Sequence, residues 1–454
     1  MKYKNYTKKL LTVIPGGSHT YSRGADTFPS NAPSILKSGK GVYIFDEKGK
    51  KYLDYGMGLR SVNIGYAESS INNAAIKAIK KGNNLTRPSM IELEAAQLFT
   101  RLIKDADMVK FTKNGSTAVT AAVKLARAYT RKKIVLRCAQ HPFFSFDDWF
   151  IGSTNIQRGV TDETIKLTKK FNYNDIESLK KVVRKYKNKV ACVVLEPAAT
   201  GCPKTNNIKF NCCNTYPCTR NFNKEDHFLK KVERVCKENN IVFILDEMIT
   251  GFRWNLKGAQ KLYGVSPDLS TFGKAMANGF SVAAICGKRE IMELGSITNK
   301  NEERVFLLST THGAEMNGLA AFIETTNFLK KHDVIDKNWR YGSKLIFEGN
   351  KIARQYGIEK YFSFSGVACS PYYNCLNKKL ENSMELRTLF IQEMLKHKIL
   401  MPWISIAFRH SDKELNRTLI AIDKSLSVLK KALKGNIKRF INGEIIKPVF
   451  RKYN

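Results

Sequence analysis

The sequence predicts an α/β protein: a large domain built on a mostly parallel sheet, with a smaller α+β domain beside it. Three observations carry this. Short apolar, β-branched runs alternate with helix-like segments through the first two thirds of the chain, the pattern of strands linked by crossover helices. The runs are apolar without alternation, as in strands covered on both faces. From about residue 315 the texture changes to long helical stretches around weaker strands. The expected division is an N-terminal segment 1–60 that joins the small domain, a large domain 61–315 and a C-terminal small domain 316–454.

In chain order, KGVYIFDEKGKKYLDY (residues 40–55) forms two short strands joined by a turn at 46–49. INNAAIKAIKKG is a helix stopped at Gly82, and IELEAAQLFTRLI is a second helix. MVKFT is a short strand. KNGSTAVTAAVKLARAYT (residues 113–130) places Ala118, Ala121, Ala122, Leu125, Ala126 and Tyr129 at helical spacing. KIVLRC, VACVVLEPA and IVFILDE are buried strands, and SVAAICG is another. After 315, LAAFIETTNFLKKH, SMELRTLFIQEMLKHK and KELNRTLIAIDKSLSVLKKAL are helical, with strands expected near 361–370 and 403–408.

Composition narrows the class. With 43% hydrophobic and 26% charged residues over 454 positions, the chain is neither disordered nor collagen-like. It has no apolar run of the ~18 residues a spanning helix needs, and its N-terminal LLTVI is too short for a secretory signal. A cytoplasmic protein follows as the expectation. The net charge of +36 raises a polyanion partner as one reading. The lysines are dispersed, however, which favours solvated faces over a nucleic-acid surface. Four of ten cysteines, Cys202, Cys212, Cys213 and Cys218, crowd into one stretch without a CxxC pair. A surface insertion with reduced thiols is expected there, with a zinc knot as the alternative.

Three motifs carry chemistry. IVFILDEMITGFR ends a strand in Asp246 and Glu247, and the C-terminal ends of parallel strands open onto the ligand crevice. A solvated carboxylate is the plain alternative. Lys274, in PDLSTFGKAMANGF, lies 28 positions later among Gly273, Ala275, Ala277 and Gly279. Small neighbours admit a flat ligand, and a lysine held there could attack a carbonyl; a surface charge is the alternative. Asn114, Gly115, Ser116 and Thr117 stand at a helix N-terminus, where free N–H groups and the helix dipole suit a phosphate, or simply cap the helix. Together, a phosphate cradle, a strand-end acid and a nucleophilic lysine are what pyridoxal 5′-phosphate needs.

The stretch DEMITGFRWNLKGAQKLYGVSPDLSTFGKAMANGF resembles the signature of class III, fold-type I pyridoxal-phosphate aminotransferases, in the glutamate-1-semialdehyde aminomutase-like branch. IPGGSHTYSRG, YIFDEKGKKYLDY and NGSTAVTAAVKLARAYT resemble further segments of that branch. HPFFSFDDWFIGST and STTHGAEMNGLAA are similar to relatives from sugar gene clusters. The resemblance implies Lys274 as the Schiff-base lysine and Asp246 as the partner of the pyridine nitrogen. Gly115 and Ser116, with Thr117 beside them, would hold phosphate. It implies a homodimer in which Thr311 completes the neighbouring subunit's phosphate site. Phe143 falls where the family has a stacking tyrosine, Arg23 where the aminomutase has a residue near the substrate carboxylate, and Glu196 at a recurrent Glu-Pro. No metal is implied.

The chain also departs from the pattern. Thr117 replaces an acidic residue, MPWISIAFRH lacks the aminomutase's acid, and FIGSTNIQRGV carries no glycine-rich gate. The implied activity is transfer of an amino group from a small-molecule donor to a keto or aldehyde acceptor. The alternatives are an intramolecular aminomutase, another reaction of the same cofactor such as racemisation or decarboxylation, or a non-catalytic polyanion binder.

Overall fold

The computed structural model describes residues 3–198, 201–205, 223–298 and 303–453. The first strands are β1 (Leu36–Lys40), β2 (Tyr43–Asp46) and β3 (Lys51–Asp54). The large sheet takes β4 (Met108–Thr112), β5 (Ile134–Cys138), β6 (Thr168–Phe171), β7 (Val190–Leu195), β8 (Val242–Asp246), β9 (Leu269–Phe272) and β10 (Ala283–Gly287). The remainder are β11 (Phe362–Val367), β12 (Ser370–Cys375) and β13 (Ile399–Leu400).

The seven large-sheet strands lie in the order β4-β10-β9-β8-β7-β5-β6. From β9 through β8, β7 and β5 to β6 all neighbours are parallel. β7, β8 and β9 therefore end on the same edge. Their apolar runs are buried along their whole length, as expected for strands covered on both faces. SVAAICG forms β10, which runs antiparallel to both β9 and β4; the chain turns straight back after Lys274 without the crossover a parallel neighbour needs.

Period-two alternation sorts the strand residues between two cores. Val194 and Ile244 pack with Val119, Ala122 and Leu125 of the helix Gly115–Thr130. Leu195 and Leu245 face the opposite way, toward Phe228, Val232 and Tyr263.

A separate core joins Ile44, Leu53 and Tyr55 to Leu345, Phe362, Phe390 and Leu426, so the early hairpin packs with the C-terminal part of the chain. β1, β2, β3 and β13 form one sheet there. The helix Val334–Gln355 lies in this part too, although no helix was expected there. The helix Met316–Lys331 instead sends Leu319 and Phe322 into the core around Phe252 and Phe272.

The strand expected near 403–408 is absent. Pro402 has no N–H to offer a ladder, and the segment makes single bonds instead. Ser405 N donates to Tyr55 O at 2.8 Å and Phe408 N to Asn63 O at 3.0 Å. Cys202 is disulfide-bonded, not the reduced thiol expected; Cys212, Cys213 and Cys218 lie outside the described residues.

Candidate active site

The register of the parallel strands assembles the site. Leu195 pairs with Leu245, and Asp246 with Thr271. Glu196, one residue past β7, thus falls beside Asp246, and both point to the face carrying the helix Gly115–Thr130. Lys274 follows β9 by two residues. Asp246 and Glu196 are 2% and 3% exposed, and Lys274 is half-buried.

Asp246 Oδ1 accepts from Met248 N at 2.9 Å and Thr271 Oγ1 at 3.2 Å. Burial pushes its carboxyl up to about 6, against the opposing pull of Lys274. Glu196 is pushed further, to about 8, by burial and by the charge of Asp246. Burial lowers the Lys274 amine, opposed by Asp246 and Glu196 and aided by Arg60 and Arg253. Lys274 also has left-handed backbone, φ 43°, which costs a non-glycine residue about 1–2 kcal/mol. Asn278 braces this turn: its Oδ1 accepts from Asn63 N at 3.1 Å and Ile64 N at 2.9 Å.

The helix N-terminus closes on the same point. A Cβ placed on Gly115 would meet Met248 Sδ at 2.8 Å, and one on Gly273 would meet the same sulfur at 2.7 Å. Gly115, Met248 and Gly273 are therefore mutual neighbours, and a Cβ on either glycine would push the Met248 side chain aside. Ser116 is buried, and its Oγ accepts from Phe146 N at 3.2 Å, which leaves its own proton to donate. Asn114 caps the helix, its Oδ1 taking both the Thr117 N–H and hydroxyl at 2.9 Å. Gly115 and Ser116 are thus better placed than Thr117 to hold an anion.

Phe143 is 45% exposed and rests edge-on against Phe150, centroids 5.7 Å apart. Thr311 is exposed, with its carbonyl bonded by Asn84 Nδ2 at 3.0 Å. Arg23 is exposed and lines a cavity of about 680 Å³ with Asp54, Tyr66 and Trp403.

Glu247, next to Asp246, faces the other way. Its carboxylate takes Ala259 N at 3.0 Å, Gln260 N at 2.7 Å and the Thr250 hydroxyl, capping the short helix Gly258–Tyr263.

Sequence reasoning missed two arginines and a histidine. Residues 57–60 run through left-handed backbone, with φ of 41°, 57°, 61° and 67°. Arg253, fully buried, holds this turn: its Nη2 donates to Arg60 O at 3.0 Å, and its Nη1 to Ile406 O at 2.7 Å. The buried Arg60 Nε has no partner among the described residues, nor has Glu196 Oε2, and the guanidinium and the carboxyl group lie within electrostatic reach. His141 Nδ1 accepts from Glu196 N at 3.0 Å, and burial lowers its imidazole to about 3, so it is neutral. Positive φ at Met57, Leu59 and Arg60 was invisible in the sequence.

An amine of lowered basicity and a buried acid meet where parallel strands end, beside a helix N-terminus. Fold and site together define a pyridoxal-phosphate enzyme of the α/β, fold-type I kind. The class-III aminotransferase family matches residues 26–202 and 221–363, skipping most of the cysteine-rich stretch. A 3-aminobutyryl-CoA aminotransferase of Cloacimonas acidaminovorans (strain Evry) is 30% identical over 93% of this chain and 95% of its own. A glutamate-1-semialdehyde 2,1-aminomutase of Francisella philomiragia is 28% identical, over 92% and 96%. The solved FumI protein of Sphingopyxis sp. MTA144 superposes with a TM-score of 0.81 at 21% identity, covering 97% of this chain and 99% of its own. A glutamate-1-semialdehyde aminomutase of Pseudomonas aeruginosa PAO1 superposes at 0.78, with 15% identity and 94% of both chains. The chain belongs to the class-III aminotransferases, and its cofactor is pyridoxal 5′-phosphate.

Proposed function

We propose that Lys274, Asp246, Gly115 and Ser116 hold the cofactor, with Phe143 against its ring, and that the enzyme moves an amino group between two separate small molecules. The bound cofactor supplies a carbonyl for the amine and an electron sink for the substrate carbanion. Lys274 Nζ would be the amine that holds this carbonyl and, once a substrate amine has taken its place, the base that holds and moves the substrate Cα proton. Burial keeps a larger fraction of this amine neutral than in water. Asp246 pairs with the ring nitrogen and keeps it protonated. Gly115 N–H and Ser116 direct the helix dipole at the phosphate. Glu196, with a carboxyl raised to about 8, is protonated at neutral pH and can donate.

Arg23 at the cavity wall and Arg60 near Glu196 offer two cations to the substrate. Gly58 and Leu59, just before Arg60, line the same cavity as Arg23. This suits a dicarboxylic donor such as L-glutamate, with each carboxylate on one guanidinium. Transfer between molecules is favoured over an internal mutase because MPWISIAFRH has no acid.

Thr311 supports a homodimer. The segments 83–85 and 311–316 are tied by Asn84 Nδ2 to Thr311 O and by Met316 N to Asn83 O, and Leu85, Met90 and Phe306 beside them are exposed at 51%, 69% and 66%. We further infer that segment 1–60 and residues 316–454 act as the small domain against 61–315, with the helix Met316–Lys331 as the piece that packs into the large-domain core, in the cytoplasm. Among the described residues no helix is long and apolar enough to cross a membrane.

The observation that carries the reading is the shared strand-end edge of Asp246 and Lys274. Reconstitution with pyridoxal phosphate is expected to give a visible absorbance that L-glutamate bleaches, with 2-oxoglutarate released. Lys274→Ala should lose the lysine-linked band and the turnover together. A wild-type protein that stays colourless with added cofactor would contradict the proposal.

A further inference from the structure

After the last long helix, Asp412–Lys434, the chain does not end on the small domain. Residues 441–453 cross back over the N-terminal segment to the large domain without regular structure of their own. Every stage of the crossing is fastened. Asn442 N donates to Gln392 Oε1 at 2.7 Å, while Gln392 Nε2 donates to Phe440 O at 2.9 Å. Ser30 Oγ donates to Asn442 O. Ile446 N donates to Thr388 Oγ1 at 3.1 Å, and Lys447 N to Asp26 O at 2.8 Å. Arg451 forms an ion pair with the Asp26 carboxylate.

The crossing delivers Phe450 to the aromatic loop. Its ring centroid lies 6.4 Å from Phe143, tilted by 40°, and 6.4 Å from Phe150, edge-on at 87°. Phe150 is itself closely packed: it is fully buried, with the Arg137 guanidinium 5.0 Å from its centroid. Arg137 in turn is fixed by Nε to Ser153 Oγ at 2.6 Å and Nη2 to Ser153 O at 2.8 Å. The three rings form a compact triangle in which Phe143 leans on both the packed Phe150 ring and the ring from the tail, and its remaining surface stays open.

A phenylalanine has no hydroxyl with which to fix its plane, so ring packing must set its orientation. We propose that the C-terminal tail is a strap in which Phe450 acts as a positioning residue, setting the plane of Phe143 against the cofactor. This rests on the reading of Phe143 as the ring that stacks on pyridoxal phosphate. The strap also ties the small domain, through Thr388 and Gln392, to the wall of the site.

The test uses full-length Phe450→Ala, Phe450→Leu, Phe450→Tyr, Phe143→Ala and the Phe143→Ala/Phe450→Ala double variant. Readouts are the dissociation constant for pyridoxal phosphate by equilibrium dialysis and the visible circular dichroism of the bound cofactor. Loss of one ring–ring contact is worth roughly a 3- to 10-fold change. Phe450→Ala and Phe450→Leu are expected to weaken cofactor binding by that factor and reduce the dichroic band. Phe450→Tyr should restore both, and the double variant should match Phe143→Ala alone. Asp26→Asn, which loosens the strap far from the ring, should shift both readouts the same way by less. Wild-type values for Phe450→Ala while Phe143→Ala is weakened overturn the strap alone, as does additivity in the double variant. Phe143→Ala at wild-type affinity overturns the strap and the stacking role together.

Discussion

Glu196 and Asp246 share one buried edge with a single lysine, and that crowding has a measurable consequence. Their carboxyls are pushed up to about 8 and about 6, whereas both ionise near pH 4 in an unfolded chain. Between these limits the folded state keeps protons that the unfolded state has released, so stability falls as pH rises. The Glu196 contribution is complete below about pH 4 and gone above about pH 8. Cofactor-free wild type is therefore expected to melt at a lower temperature at pH 8 than at pH 5, and Glu196→Gln should flatten that dependence. Scanning calorimetry of the two proteins across this range decides it; equal slopes would mean that Glu196 is not the group responsible. The sequence placed Asp246 and Glu196 at strand ends and Lys274 among small residues before the next strand; β9, which carries Lys274 to the same edge, was not read as a strand. Arg60 was not legible, because its orientation comes from a left-handed turn held by Arg253 and from no local pattern.

At the level of elements, strand alternation separates two adjacent acids that the sequence treats alike. Asp246 points to the face that carries the helix Gly115–Thr130, while Glu247 faces the opposite core and caps the helix Gly258–Tyr263. Removing a fully buried acceptor strands its donors, here Ala259 N–H, Gln260 N–H and the Thr250 hydroxyl. Glu247→Ala is expected to cost roughly 2–3 kcal/mol. It should lower the thermal midpoint while the folded fraction binds pyridoxal phosphate with unchanged affinity. An unchanged midpoint with lost cofactor binding would put Glu247 in the crevice instead. The helix Gly115–Thr130 was legible because its alanines recur every three or four residues. β10 was legible as a strand but not in direction, since direction depends on which edge the returning chain meets.

At the level of the whole molecule, the apolar surface near Thr311 and the net charge of +36 act on different scales. Exposed Leu85, Met90 and Phe306 would be buried by a second copy, and like-charged chains repel most weakly where salt screens them. Light scattering at physiological salt should return about twice the 51.5 kDa chain mass. Full turnover by a species of single-chain mass would rule out a site completed by Thr311 of a neighbour.

By itself the sequence determined the α/β class, the large-sheet strands it marked as apolar runs, and the lysine and acid on which the proposed chemistry turns. These rest on periodicity and on motifs short enough to lie within one strand, turn or helix. Tertiary structure alone decided that Asp246 and Glu247 part company. It alone turned Arg60 inward and carried Phe450 to Phe143. Each of these depends on segments far apart in the chain meeting at one point, and local spacing holds no record of such a meeting.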